Sequence, residues 1–582
     1  IMAESRGRGF LFNEVEIKTP GRSGFDMSFE NRLSFNMGDL IPVSCQECLP
    51  GDSFGGNPQF FARFAPMLAP IMHKVDLFHY TFFVPNRLLW DSWQDFISPG
   101  DGKKTMKSLS DGSYVAPVKP FINLRHLSDF SNASYISIAL RDKLLGVGSL
   151  ADYLGCLGQT STYHTTHQWT KNTYADALPF RAYQLIWDEF FRDQNVTESL
   201  DIKKTDGDQA PNINLNEAIK LLTLRKKAWE HDYFTSALPE PQRGPDVYLP
   251  LGDSAPVSGT AAIPQISSFL TSQSGVGISA LDGEALKFLS VSGADGLVSM
   301  RDSQNNVVPL DVVSTPQSAP VTGSVDLSAA TSATINTLRQ AFRLQEFLEK
   351  SARVGGRYIE SILAHFGVNV PDSRLQRPEF ISAGRVPVAV SATTADAASN
   401  VTDGTNTWLN VQGTQTGNAV SSGSDKWSYT CLEHGFLMTL VCVVPRTAYF
   451  QGCKRMFFAR KTYLDYAWPS FAHLGEQEVW QKELFCNGAN DEDKTVFGYQ
   501  SRYADYKYNA DEVHGEFRTS LDFWHMARKF DSAPLLNESF IESNPTTRIF
   551  AVTDESVHHI YLDVWYDLYK ESALPLYGTP TL

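Results

Sequence analysis

Three stretches of the chain carry strong hydrophobic patterning, and they do not pattern alike. "DLFHYTFFVP" (76 to 85) and "HGFLMTLVCVVP" (434 to 445) are apolar at almost every position. Successive side chains of a strand point to opposite faces, so each segment is predicted to be a β-strand covered on both sides. "HHIYLDVWYDL" (558 to 568) alternates instead, with Ile560, Leu562 and Val564 on one face and Tyr561, Asp563 and Trp565 on the other. This period of two predicts a strand with one face toward a core. Elsewhere the spacing is helical. Tyr183, Ile186, Trp187 and Phe190 follow Pro179 in the segment 178 to 193, and Leu338, Phe342, Leu344, Phe347 and Leu348 lie in 334 to 352. Both segments are predicted to be helices packed on a core.

The strand candidates lie hundreds of residues apart, which predicts a mainly β protein: one β-sandwich carrying large insertions rather than a row of independent domains. Two intervening segments change composition. Residues 251 to 333 are rich in Ser, Gly, Ala, Val and Asp and contain no Trp, Tyr, Cys or His. They keep Ile266, Phe269, Leu270, Leu281, Leu286, Phe288 and Leu289, enough apolar residues to fold against themselves or against copies of themselves. Residues 391 to 425 are more polar and are predicted to be an exposed loop. No solenoid-type repeat is present.

Charge narrows the function classes. Against 65 Asp and Glu stand 50 Lys and Arg, a net charge of -15 over 582 residues. That sign is wrong for wrapping nucleic acid over a whole surface, so any such contact is local or helped by a basic partner. Seven cysteines, several in runs such as "LVCVVP", read as small buried hydrophobes in a chain that folds in a reducing compartment. "IMAESRGRGF" has no apolar signal core, and no run reaches the ~18 apolar residues of a membrane span. The sequons at Asn132, Asn195, Asn400 and Asn537 are accordingly read as chance.

The chemical motifs weaken on inspection. "LPGDSFGG" (49 to 56) contains Gly-x-Ser-x-Gly around Ser53, but the hydrolase turn demands a helix directly after the serine, and Gly55-Gly56-Asn57-Pro58 cannot start one. The first histidine is His73, so the chymotrypsin order, histidine before serine, is excluded. "CQEC" (Cys45, Cys48) lacks a second Cys-x-x-Cys, and "HTTH" (His164, His167) lacks the glutamate of a zinc-protease motif. "GVGSLA" (146 to 151) follows the polar "RDKLL" rather than a buried strand, unlike a dinucleotide fingerprint. Acidic pairs in "DVWYDLYKE" and "NDEDK" read as solvated faces. No catalytic set, cofactor site or metal site is assigned. Basic clusters occur in the N-terminal arm (Arg6, Arg8, Lys18, Arg22), in "LRKKAW" (224 to 229) and in "CKRMFFARK" (453 to 461), where cations mix with Phe457 and Phe458. The residues by themselves leave a rival open, a β-sandwich glycoside hydrolase or carbohydrate-binding protein. That rival predicts a monomer with a cleft holding two carboxylates.

Six blocks change the weighting. "FDMSFENRLSFNMGDLIPVSCQECLPGDSF" (25 to 54), "ALPFRAYQLIWDEFFRDQN" (177 to 195), "DYFTSALPEPQRGP" (232 to 245), "RVGGRYIESILAHFGVNVPDSRLQRPEFISAG" (353 to 384), "CVVPRTAYFQG" (442 to 452) and "FRTSLDFWHMARKF" (517 to 530) together resemble the major capsid protein of the Microviridae, in particular its gokushovirus branch. The blocks span nearly the whole chain in the family's order. The resemblance implies a single eight-stranded antiparallel jelly roll over 1 to 582 with long helical and loop insertions. It implies sixty copies in a T=1 icosahedral shell around a circular single-stranded DNA genome, a non-catalytic role, and assembly in the cytoplasm of a bacterial host. "LPGD" would then be a structural turn. Residues 246 to 333 fall where the family carries a variable surface insertion, a protrusion at each threefold axis, and 391 to 425 are a second candidate for exposed surface. Either surface would meet a host cell-surface receptor. The acidic charge implies a small, very basic internal protein that does most of the DNA neutralisation, assisted by Arg6 and Arg8. Trp90, Trp93, Arg181 and Trp187 are candidates for subunit anchors, with core packing as the equal alternative.

Overall fold

The computed structural model describes residues 21–97, 107–108, 114–115, 117–124, 138–156, 174–210, 215–242, 289–291, 298–301, 307–308, 335–354, 376–394, 399–403, 406–410, 415–486 and 495–577. Two antiparallel sheets are built, in chain order, from β1 (Ser23–Asp26), β2 (Phe29–Phe35), β3 (Ile41–Cys48), β4 (Ser53–Phe64), β5 (Val75–Pro85), β6 (Glu379–Pro387), β7 (Ala389–Thr394), β8 (Gln415–Ser424), β9 (Trp427–Thr430), β10 (Gly435–Pro445) and β11 (Ile560–Ser572). Sheet one runs β1-β11-β4-β8-β7, with β2 continuing the β1 side along β11 and β9 continuing the β8 side along β4. Sheet two runs β6-β5-β10-β3.

The patterning read from the sequence follows from how these sheets stack. One core lies between them, where Phe54, Phe60, Ala62, Ile560, Leu562 and Val564 of sheet one meet Val43, Leu77, Phe83, Leu437 and Val441 of sheet two. A second core covers the other face of sheet two, where Phe82, Met438, Leu440 and Cys442 pack under α1 (Ala177–Ile186), its continuation as a π-turn (Trp187–Phe191), and α2 (Asn216–Leu222). Sheet two is thus the middle of three layers, and β10 is buried at all eleven positions. Each fully buried Leu, Val or Phe contributes about 1.5–3 kcal/mol. Among the described residues sheet one has no such cover on its outer side, and β11 accordingly alternates buried and exposed residues along its length.

A buried polar tie joins the two sheets. The Thr81 and Thr439 hydroxyls lie 3.2 Å apart, and Thr439 Oγ1 is 2.8 Å from the Tyr566 hydroxyl across the core. Burial pushes the Tyr566 phenol up to about 12, so the tie stays neutral through the physiological range. A second tie is a three-stranded backbone seam. Residues 225 to 229 run between 38 to 40 and 541 to 543, with Leu40 N–H donating to Arg225 O, Lys227 N–H to Gly38 O, Ser543 N–H to Lys227 O and Trp229 N–H to Ile541 O, each at 2.9 Å.

The chain divides into two compact units, Ile1–Arg243 with Leu348–Leu582, and Gly244–Phe347. The described strands of the second unit, Leu289–Val291, Val298–Arg301 and Val307–Val308, pair antiparallel in that order. The predicted helix over 334 to 352 is present as α3 (Ile335–Val354), but of the apolar residues expected to pack on a core Phe342, Leu344 and Phe347 are exposed. The expected polar loop at 391 to 425 is also corrected. It contains most of β7, all of β8, and a hairpin of Ser399–Asp403 with Asn406–Asn410. Its small polar residues form strands because pairing with β4 supplies the hydrogen bonds that side-chain hydrophobicity did not announce.

Candidate interaction surfaces

Ser53 does not sit on the strand-to-helix turn that a hydrolase nucleophile needs. It opens β4 rather than a helix, and its hydroxyl lies 2.6 Å from the Thr430 hydroxyl on the neighbouring β9. The turn before it is held from both sides: Gly51 N–H donates to Cys431 O at 2.7 Å, and Cys431 N–H donates to Asp52 O at 2.8 Å. Asp52 itself accepts from the Leu49 amide at 2.9 Å and pairs with the Lys570 ammonium at 2.7 Å, both charges being buried. Burial pushes the Asp52 carboxyl up, but Lys570 and the Leu49 amide outweigh it and hold the group below its ordinary value. A lowered folded-state value contributes stability above the unfolded pKa of ~3.9, and that stability is lost as pH falls through the folded value. Asp52→Asn is therefore expected to cost about 3 kcal/mol at pH 7, because it strands the Lys570 charge, and to flatten the acid side of a plot of melting temperature against pH. An unchanged acid limb would show that the pair does not set acid stability.

The other motifs disperse. Cys45 packs toward the helical layer and Cys48 toward the inter-sheet core, as residues three apart on one strand must, so they cannot share a metal or a disulfide. His164 and His167 lie outside the described residues, as do Arg6, Arg8 and "NDEDK". Among the described residues no group of three or more His, Cys, Asp or Glu is placed to hold a metal ion. In "GVGSLA", Ser149 caps a single helical turn, Leu150–Tyr153, too short for a dinucleotide site. Asp563 and Asp567 share the outer face of β11 but are four residues apart on a strand, about 13 Å, too far for the two carboxylates of a glycosidase. Trp90, Arg181 and Trp187 are core residues. The indole of Trp90 donates to Asp206 at 2.7 Å, and the guanidinium of Arg181 donates to the carbonyls of Leu89 and Thr205 at 3.0 and 2.9 Å. Trp93 is half-buried beside Trp90. Of the "LRKKAW" cluster, Arg225 stacks on Trp187 and Lys227 is buried, so it is a seam rather than a phosphate-binding face.

What the fold does present is apolar surface. On the outer face of sheet one, Tyr561, Trp565, Tyr569 and Phe61 are exposed, with Arg63 over the Phe61 ring at 5.2 Å. A larger surface lies on the excursion 455 to 474, where Met456, Phe457, Tyr463, Leu464, Tyr466, Trp468 and Leu474 are all exposed. This excursion is braced from beneath. Arg455 pairs with the buried Glu483 at 2.8 Å, Arg460 pairs with Asp505 and covers the Tyr506 ring, and Thr462 and Asp465 form a capping box. The Trp468 indole donates to Tyr463 O at 2.8 Å. The sequence pointed only to the edge of this surface, at Phe457 and Phe458. The signal for the rest was the aromatic density of "YLDYAWPSF" following the Thr462–Asp465 cap.

Comparison with known proteins gives one consistent picture. The family described as "Capsid protein (F protein)" matches residues 14–582. The chain is 33% identical to a "Capsid protein VP1" of Chlamydia phage 1, over 98% of this chain and 97% of that protein. It is 33% identical to the "Capsid protein VP1" of Bdellovibrio phage phiMH2K, over 99% and 98%. A "Capsid protein VP1" of Spiroplasma virus 4 is 26% identical over 96% and 95%.

Proposed function

The chain belongs to the capsid protein (F protein) family of phages, and from that premise we propose that sixty copies close into a T=1 icosahedral shell around a circular single-stranded DNA genome. The observation that carries self-assembly is the braced excursion 455 to 474, which presents seven large apolar side chains to solvent in the single chain. A stable monomer rarely exposes so much contiguous apolar surface, whereas a subunit interface requires it. Rigid bracing means that little ordering entropy is lost when a neighbouring copy covers it.

The strand order supports an eight-stranded jelly roll. With β1 and β2 counted as one split strand, β8 and β9 as another, and β7 as an added edge, sheet one reads 1-8-3-6 and sheet two 2-7-4-5 in chain order. That is the interleaving two Greek keys produce. The role is structural and non-catalytic, in keeping with the Ser53 hydroxyl being engaged by Thr430. As a capsid protein the chain is a component of the virion, assembled in the host cytoplasm. The insertion 246 to 333, most of the separate unit Gly244–Phe347, forms the threefold protrusion, and with the hairpin region of 391 to 425 it offers the surface for a host receptor. The net charge of -15 requires a small basic internal protein to neutralise the genome, with Arg6 and Arg8 assisting.

Electron microscopy of the purified native material, with nuclease protection on the same fractions, tests this reading. Uniform small icosahedra with threefold knobs and protected circular single-stranded DNA are expected. A monodisperse monomer free of nucleic acid would overturn it. Deleting residues 246 to 333 is expected to leave particles that form but adsorb to host cells at least tenfold less well, scored by adsorption assay.

A further inference from the structure

On the helical side of sheet two lies a cavity of about 820 Å³ that no part of the assembly reading uses. Tyr80 and Phe82 of β5 form its floor, with Phe380 of β6 directly across from Phe82 in register. Phe190 of the π-turn closes one side, its ring 4.8 Å from that of Phe82, and Lys227 and Trp229 of the backbone seam close another. Two features of this cavity call for a ligand. Phe190 and Phe380 remain 37% and 50% exposed although both belong to the wall, leaving aromatic faces open to the cavity mouth. Lys227 is only 8% exposed, yet among the described residues its ammonium makes a single hydrogen bond, 3.3 Å to Ala228 O, and lies over the Phe78 ring. No carboxylate oxygen of the described residues lies within 4 Å of it. Of the two carboxylates that line the cavity, Glu230 is engaged by Arg385 at 3.0 Å and Asp193 accepts from the Asn195 amide at 2.8 Å. An ammonium buried without a counter-charge is costly, and burial holds the Lys227 pKa below its ordinary value, so an anion placed there recovers part of the cost. At the rim the Arg377 guanidinium sits 6.0 Å from the Phe190 centroid.

An apolar peptide would satisfy the rings and leave the ammonium unpaired; a lone anion would do the reverse. We propose that the cavity receives one unstacked nucleotide of a single-stranded DNA chain, its base against Phe190 and Phe380 and its phosphate toward Lys227. Base-on-aromatic stacking with a nearby cation is how single strands are held without sequence preference. This inference rests on the coat-protein reading and places one contact of the packaged strand within it.

The test is ultraviolet cross-linking of intact native particles followed by mass-spectrometric mapping of nucleotide adducts. Adducts on Phe190, Phe380, Tyr80 or Trp229 are expected. They should disappear in a Phe190→Ala, Phe380→Ala double variant, whose substituted rings are exposed enough to leave the fold intact. Lys227→Met, which keeps most of the buried volume, is expected to weaken binding of a short oligothymidylate to the dissociated protein roughly tenfold and to lower the salt slope by about one. Should the double variant yield no particles, the adduct map and oligothymidylate affinity of Lys227→Met decide. Protected DNA with adducts only elsewhere, or full retention of binding in Lys227→Met, would overturn the cavity assignment and leave the coat reading standing. A monodisperse monomer free of nucleic acid would overturn both.

Discussion

Replacing Phe457 and Tyr463 together with aspartate is expected to abolish particle formation while leaving a folded chain. Both side chains point to solvent, at 71% and 72% exposure, so neither contributes materially to the core of the single chain. The bracing beneath them, the Arg455–Glu483 pair, the Arg460–Asp505 pair and the Thr462 cap, uses neither side chain. Two carboxylates buried against an apolar partner surface would each cost several kcal/mol per contact, and a closed shell repeats the contact in every subunit. Circular dichroism and thermal melting should match the parent within about 1 kcal/mol, and sedimentation should show slowly moving subunits with no shell peak. Normal shells from the double variant would remove this excursion from the interface.

The second large effect is on the fold itself. Gly38 sits at φ +87° with its missing Cβ position 2.1 Å from the carbonyl oxygen of Ser543, a backbone atom pinned by the seam that Lys227 and Ser543 share. Gly38→Ala therefore carries a left-handed backbone penalty of about 1–2 kcal/mol and a steric term of similar or larger size, and is expected to destabilise the chain by about 3 kcal/mol or more. Gly51→Ala is the control. Its φ of +86° is almost the same, but nothing lies within 4 Å of its Cβ position, so only the backbone penalty of about 1–2 kcal/mol remains. Equal losses of melting temperature in the two variants would show that the Ser543 contact relaxes freely.

The seam also marks the limit of what the sequence discloses. β5, β10 and β11 were legible because their burial is written as hydrophobic pattern: both faces for the middle sheet, one for the outer. β8 was not, although it pairs with β4 and β7. Its inward positions include Gly417 and Ala419, and a Cβ at Gly417 would fall 2.4 Å from Ala69 O, so close backbone approach selected small residues where the pattern expects large ones. The helix α1 was legible by its 3.6-residue period, but α3 shows that an apolar stripe predicts a covered face without saying what covers it. "LRKKAW" read as a basic cluster because composition cannot reveal that its backbone is the central strand of a long-range seam, with partners near residues 39 and 542. Its Lys227 and the ring of Phe190 share a cavity with Phe380, which lies more than a hundred residues further along the chain, a juxtaposition only topology creates.

The pairing of β11 sets a clock on the life of the newly made chain. Ser28 and Asp567, 539 positions apart, lie side by side, and β11 stands between the β1–β2 pair and β4. At roughly 5–20 residues per second, translation from the first of these strands to the last takes on the order of half a minute to two minutes, during which β4 waits with an unpaired edge. Chaperone occupancy of nascent chains should be concentrated in that interval. An incomplete chain that stops short of residue 560 lacks β11, the strand that joins β1 and β2 to β4, and so cannot close sheet one.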